Sequence, residues 1–344
     1  MYDSSVHHTN NGRGVRAEGL GKRFGDLWAL RDLDLDVPPG TVLGLLGHNG
    51  AGKTTAIRIL TTLAAPTTGS ATVAGLDVVH EASAVRSRIG VAAQQATVDG
   101  LLTARANLEM VGRLHHLPKQ TARTTADELL EKLDLTDAAT RLVKTFSGGM
   151  RRRLDLAASL MAGPEVLFLD EPTTGLDPRS RADLWQMLRD LVRDGTTVLL
   201  TTQYLDEADR LADEVVVLDH GLTVAKGTPA ELKARIGDTR FDVTVGTPSD
   251  LVAAAGVLSP FVAYEPTLDR EALVVSAPII DGTRLIDVVR ALDEAGIDAV
   301  DVNRRQASLD DVFLTLTGAP TADATPAAPA APHDTDAVPQ EVPA

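Results

Sequence analysis

The chain has 344 residues, 44% of them hydrophobic but only 3% aromatic, so its core must be aliphatic, as suits a helix-covered parallel sheet. A formal net charge of −15 argues against nucleic acid, whose phosphates select basic surfaces, and against docking on acidic lipid by charge alone. With no cysteine there are no disulfides and no thiolate metal site, which fits a reducing compartment.

Residues 1–14 are polar, with His7, His8, Asn10 and Asn11, and read as a flexible lead-in without the apolar stretch of a secretory signal. No segment reaches the roughly 20 apolar residues that span a bilayer. The expectation is a cytosolic protein whose membrane role, if any, is borrowed from a partner.

From Val15 to Gly237 short apolar runs alternate with amphipathic stretches, the pattern of an α/β fold. Residues 41–46 (TVLGLL) are a predicted buried strand. After a glycine-rich loop, Ala56, Ile59, Leu60 and Leu63 recur at helical spacing. The loop, GHNGAGKTT from Gly47 to Thr55, fits the phosphate-loop pattern, with a strand before it and a helix after it. Gly47, Asn49, Gly50 and Gly52 belong to this loop, and its glycines let backbone N–H groups turn inward. Those donors and the helix N-terminus surround the β- and γ-phosphates. Lys53 adds a point charge, Thr54 offers a hydroxyl to Mg²⁺, and Thr55 can serve the α-phosphate.

Residues 96–145 contain no convincing strand and read as helices. At 147–149, Ser-Gly-Gly opens a helix with apolar Leu154, Ala157, Ala158 and Met161. It is a second anion-binding helix N-terminus. Arg151, Arg152 and Arg153 fall in its first turn, where the dipole disfavours cations. They read either as a solvated basic face or as cations offset by a nearby nucleotide. A strand at 166–169 (VLFL) then ends in two acids, which puts Asp170 and Glu171 at its carboxyl edge. Asp170 is placed to hold Mg²⁺ and Glu171 to orient and polarise the attacking water. Further strands are expected at 197–201 and 214–218, and a helix opens at Thr228-Pro229, covering 229–235.

Residues 239–318 read as a small α+β unit, with strands near 240–245, 261–265, 272–276 and 298–303 and a helix at 283–294. The last element, SLDDVFLTLTG, has a capping box of Ser308 and Asp311, an apolar face of Leu309, Val312, Phe313 and Leu316, and a stop at Gly318. Residues 319–344 are Ala/Pro-rich and are expected to be disordered.

The stretch FSGGMRRRLDLAASL resembles the signature of ABC transporter ATPases, usually Leu-Ser-Gly-Gly-Gln. Phe146 and Met150 depart from the commonest form, while Ser147, Gly148 and Gly149 are intact. Together with TTQYLDEADRLAD and the terminal SLDDVFLTLTG, it resembles the daunorubicin-resistance type of ATPase subunit. The resemblance implies a P-loop NTPase fold, an ABC nucleotide-binding domain with a RecA-like core and a helical subdomain, over residues 15–237, the helical insert at about 96–160. It also implies a small accessory α+β domain at 238–318 that supports dimer assembly. Phe24 takes the position that stacks on adenine, with core packing as the alternative. Gln94 matches the glutamine that contacts Mg²⁺ and senses the membrane partner, Gln95 being the alternative register, and Asp177 matches the loop that crosses the dimer seam.

Where the family normally has histidine at the γ-phosphate, this chain has Gln203. Its amide can donate to a phosphate oxygen but cannot take up a proton near neutral pH, so weight shifts to Glu171. A catalytically weak regulatory subunit therefore stays open beside the hydrolase.

One chain carries two phosphate sites that cannot hold the same nucleotide, so the economical assembly is a head-to-tail dimer sandwiching ATP. The implied function is to energise a separate membrane permease, from its cytoplasmic face, that exports an antibiotic or other hydrophobic compound. A non-transport ABC ATPase is the rival. The chromosome-maintenance type needs long heptads between Lys53 and Asp170, which are not visible, and the ribosome-associated type carries two cassettes and a basic linker. His115 and His116 are adjacent on a helix, project about 100° apart and cannot share a metal. His48 occupies a free loop position, and no metal beyond Mg²⁺ is expected.

Overall fold

The computed structural model describes residues 14–93, 97–237, 239–263, 265–280 and 282–317. The chain opens on two long strands, β1 (Val15–Phe24) and β2 (Leu27–Val37), then β3 (Val42–Leu46), helix α1 (Lys53–Leu60), β4 (Thr68–Val73) and β5 (Leu76–Asp77). A short helix α2 (Ala82–Arg86) and β6 (Ile89–Ala92) lead to the helical stretch α3 (Ala104–Leu114), α4 (Lys119–Lys132) and α5 (Gly148–Leu160). Next come β7 (Val166–Asp170), α6 (Pro178–Arg193), β8 (Thr197–Thr202), α7 (Leu205–Leu211), β9 (Glu214–Asp219), β10 (Leu222–Gly227) and α8 (Pro229–Arg235). The last part holds β11 (Thr239–Val245), α9 (Pro248–Leu258), β12 (Thr267–Asp269), β13 (Val274–Pro278), α10 (Leu285–Glu294), β14 (Ala299–Gln306) and α11 (Leu309–Thr317).

The central sheet has the order β10-β9-β3-β8-β7-β6 and is parallel except for the β9–β10 hairpin. Its inner strands β3, β7, β8 and β9 are buried along most of their length because both faces are covered, while the edge strand β10 is largely exposed. In β7, Val166 and Phe168 pack toward α1 and the antiparallel sheet β2-β1-β4-β5, while Leu167 and Leu169 pack toward α3–α6. Leu199 of β8 sides with the first group, Val198 and Leu200 with the second. Each such buried aliphatic or aromatic side chain contributes about 1.5–3 kcal/mol. Parallel register carries Leu46, Thr202 and Asp170 to the same edge, so the loops after β3, β7 and β8 gather there.

Beyond α8 a third sheet, β12-β13-β11-β14, is antiparallel, and α9 and α10 cover its apolar face through Leu251, Leu258, Val288 and Leu292. Among the described residues of 261–265, the expected strand does not form. Pro260 lies in a 3₁₀ turn, Ser259–Phe261, and of these described residues Val262 alone makes a bridge, to Ile279. Helix α9 was not expected, because its run LVAAAGVL is apolar on every side and gives no helical period. Strands β1 and β2 do not alternate regularly over their full length, because their pairing shifts register between Ala17 and Leu20, Leu20 and Lys22, and Lys22 and Arg23.

The Ser308–Asp311 box is present: Ser308 N donates to Asp311 Oδ2 at 2.8 Å, and Asp311 N to Ser308 Oγ at 3.3 Å. Leu309, Val312 and Phe313 bury the face of α11 against Leu205 and Ala208 of α7, Leu232 of α8 and Val217 of β9, not against the third sheet; Leu316 is exposed. Gly318 lies outside the described residues.

Candidate functional site

The phosphate loop is shaped by two glycines. Gly52, N-cap of α1, has φ 106°, and a Cβ there would meet Ala29 O at 2.6 Å; one on Gly47 would meet Leu218 O at 2.4 Å. Lys53 is buried in the first turn of α1, where its ammonium donates to Gly47 O at 2.7 Å and His48 O at 3.2 Å. It also lies 3.3 Å from Glu171 Oε1. Burial pulls the Lys53 pKa down, and Glu171 and Asp170 oppose that shift.

Asp170, at the end of β7, is buried. It accepts from Thr54 Oγ1 at 3.2 Å and from Thr201 Oγ1 at 2.6 Å. The hydroxyl of Thr54 and the Asp170 carboxylate thus form an all-oxygen donor pair, the chemistry a hard cation such as Mg²⁺ selects. Glu171 has φ 49°, a left-handed conformation that costs a non-glycine residue on the order of 1 kcal/mol. Its N–H is held by Thr201 O and Thr201 Oγ1, both at 3.1 Å. Thr201 therefore positions both acids. The sequence reading did not single it out, although a hydroxyl in the apolar strand TVLLTT was the available signal.

Ser147 caps α5, accepting from Met150 N at 3.2 Å, and no acid occupies the first turn of this helix. Gly149 abuts α6: a Cβ would meet Ser180 Oγ at 2.7 Å. Asp177 is the N-cap of α6, accepting from Ser180 N at 3.0 Å and Ser180 Oγ at 2.6 Å, bonds that hold its carboxyl below the usual range. Gly148 opens α5 with nothing close to its vacant Cβ position. Gln203 is half-buried in the bend after β8, two residues beyond Thr201. Phe24 ends β1 and is 54% exposed, with Lys22 Nζ 5.3 Å from the ring centroid, so it is not a core residue. Gln94 and Gln95 lie outside the described residues.

The arginine run is not a uniform solvated face. Arg152 is 9% exposed and donates to Ala93 O at 2.6 Å, Pro172 O at 2.7 Å and Asp170 O at 3.2 Å. Burial lowers its pKa, and the charge of Asp155, 3.5 Å away, opposes this. Asp155, 1% exposed, in turn accepts from Thr97 N at 2.8 Å and Thr97 Oγ1 at 2.7 Å. One turn of α5 thus grips the chain on both sides of residues 94–96. Arg151 donates to Lys144 O and Arg153 pairs with Asp134, so protein carbonyls and carboxylates meet all three cations. The sequence offered no signal for which arginine turns inward.

The family model for "ABC transporter" matches residues 30–174. The chain is 55% identical over 305 residues to daunorubicin resistance ATP-binding protein DrrA3 of Streptomyces coeruleorubidus, covering 88% of this chain and 96% of that protein. It is 39% identical over 305 residues to Nod factor export ATP-binding protein I of Ralstonia nicotianae, covering 88% and 94%. Among solved structures, a dimeric post-hydrolysis state of the ATP-binding cassette MJ0796 bound to ADP and Pi matches with TM-score 0.57 and 25% identity, over 62% of this chain and 98% of that one. A glycine-shaped loop with its lysine, paired acids at one sheet edge and a Ser-Gly-Gly helix start therefore coincide with likeness over nearly the whole chain: it belongs to the ABC transporter ATP-binding proteins, among those of the daunorubicin-resistance type.

Proposed function

We propose that this chain is the ATP-binding and hydrolysing subunit of an ABC exporter, energising a separate membrane permease for efflux of an antibiotic or other hydrophobic compound. The observation that carries the reading is the convergence, at one sheet edge, of the Lys53 ammonium, the Thr54 hydroxyl and the Asp170 and Glu171 carboxylates. Among the described residues no helix is long and apolar enough to cross a membrane. In this reading a separate permease spans the membrane and the chain works on its cytoplasmic face. The names of the two relatives, one for daunorubicin resistance and one for Nod factor export, support the export assignment.

In this reading the N–H groups around Gly47, Asn49, Gly50 and Gly52 cradle the phosphates, and Thr55 adds a hydroxyl. Lys53 exchanges its loop carbonyls for phosphate oxygens, a charge no backbone dipole replaces. Phe24, exposed at a strand end, stacks on adenine. Thr54, Asp170 and Gln94 hold Mg²⁺, which when bound supplies positive charge beside the phosphate oxygens. Glu171, fixed by its two bonds to Thr201, orients the attacking water, and the Gln203 amide donates to the γ-phosphate. Positioning and fixed charge are the main sources of rate in phosphoryl transfer. The Ser147–Gly149 helix start serves the nucleotide of a second copy, and Asp177 lies at that seam. A head-to-tail homodimer is therefore the working unit, and residues 238–318 form an accessory unit that supports its assembly.

The test is Mg-ATP hydrolysis by wild type and Glu171→Gln, with oligomer size followed by light scattering. Turnover by wild type, with an inactive variant that traps an ATP-dependent dimer, is expected. A wild type that neither turns over nor dimerises, alone or with a co-expressed permease, would sink the hydrolytic reading.

A further inference from the structure

The turn between β9 and β10 stands against the phosphate loop. Gly221 N donates to Ala51 O at 3.0 Å and Arg31 N donates to Gly221 O at 2.8 Å, so backbone bonds tie turn, loop and β2 together. Three side chains able to ligate a metal meet there: His48 from the loop, Asp219 at the end of β9 and His220 from the turn, one donor atom of each lying within 4.8 Å of the others. His48 Nε2 is 2.9 Å and His220 Nε2 3.8 Å from the same oxygen, Asp219 Oδ1. The two imidazole centroids are 5.0 Å apart.

The bonding of His48 is the telling feature. Its Nδ1 is 2.6 Å from Asn49 O, and its Nε2 faces the Asp219 carboxylate. Both partners are acceptors, whereas a neutral imidazole carries one N–H. A cation held between Nε2 and Asp219 Oδ1 would satisfy both, in the place otherwise taken by the second N–H of an imidazolium. A metal-bound histidine donates its other ring N–H to a carbonyl or carboxylate, the part Asn49 O would play for Nδ1–H with Nε2 on the ion.

We propose that His48, Asp219 and His220 form a binding site for a divalent transition ion of the Zn²⁺ class. Two imidazoles and one carboxylate suit that ion, whereas Mg²⁺ prefers the all-oxygen set at Thr54 and Asp170. Tetrahedral coordination at about 2.0–2.2 Å puts ligand atoms ~3.4 Å apart. The 2.9 Å separation then has to open, and the 3.8 Å separation to close, by about half an ångström each. His220 is 83% exposed, which leaves room for water as the fourth ligand. The ion ties the phosphate loop to the hairpin, next to the His48 carbonyl that accepts from Lys53.

The test uses the purified full chain without nucleotide, Zn²⁺ titrated against a chromophoric chelator and Co²⁺ followed by its visible spectrum. One ion per chain is expected, with the strong visible bands of tetrahedral Co²⁺. His220→Ala and Asp219→Asn should each weaken Zn²⁺ binding at least tenfold and remove the bands, while His115→Ala/His116→Ala changes neither. Because His220 is exposed, its variant should keep wild-type ATP turnover in chelator-treated buffer containing Mg²⁺, which separates a lost site from a lost fold. Zn²⁺ affinity within twofold of wild type in His220→Ala, or binding lost only when His7 and His8 are replaced, overturns the proposal.

Discussion

Replacing Arg152 with alanine tests the most connected side chain of α5. The substitution removes three hydrogen bonds from a charged donor to Ala93 O, Pro172 O and Asp170 O, at 2.6–3.2 Å. Each such bond is worth about 1.5–3 kcal/mol singly, but the three share one guanidinium and do not add. The larger consequence is that Asp155, 1% exposed, loses the cation beside it. Breaking a buried pair from one side costs about 3–5 kcal/mol, the expected destabilisation here. Arg152→Lys keeps the charge but cannot reach three carbonyls from one nitrogen, so it should fall between alanine and wild type.

Urea unfolding, with midpoints compared at unchanged slope, reads the stability term. Turnover reads the second effect. The carbonyls held by Arg152 belong to Asp170 and Pro172, on either side of Glu171, so the acids should shift and kcat should fall by on the order of 10²-fold. Affinity for ATP should change little, since the loop around Lys53 is untouched. A loss of stability under about 1 kcal/mol together with wild-type kcat would refute the assignment of Arg152 as a strut.

Two further outcomes follow from buried groups. Burial raises the pKa of Glu207, whose carboxylate accepts from Trp185 Nε1 at 3.1 Å, so the folded state holds its proton to higher pH than the unfolded chain does. Its contribution to stability is fully present below the ordinary glutamate pKa and is lost as pH rises through the raised value. Glu207→Gln keeps an acceptor for Trp185 and should flatten that part of the pH profile, matching or exceeding wild type at pH about 8 in urea midpoints. A variant as pH-dependent as wild type would remove Glu207 as the source.

Phe313→Ala empties a site 1% exposed between α11, α7 and α8 and should cost about 3–5 kcal/mol. Hydrogen exchange should then rise in residues 229–235 and 309–317 while β3 and β7 stay protected. Equal loss of protection in β7 would contradict the local character of this packing.

Features whose chemistry is contiguous were legible from the sequence alone. The phosphate loop, the acids ending β7 and the Ser308–Asp311 box each place donor, acceptor and backbone within a few residues, so their spacing encodes their geometry. The apolar runs of β3, β7 and β8 read as buried strands because a doubly covered sheet leaves no polar face. What tertiary structure decided involves partners far apart in the chain. Thr201 reaches Asp170 only because β8 lies beside β7, and His48 meets Asp219, 171 residues away, only because β9 lies beside β3. Which of three arginines is buried depends on where α5 sits over Ala93, Asp170 and Pro172. The left-handed Glu171 and the seating of α11 on α7 and α8 have the same origin: strand order and helix docking set them, and no local spacing of residue types records either one.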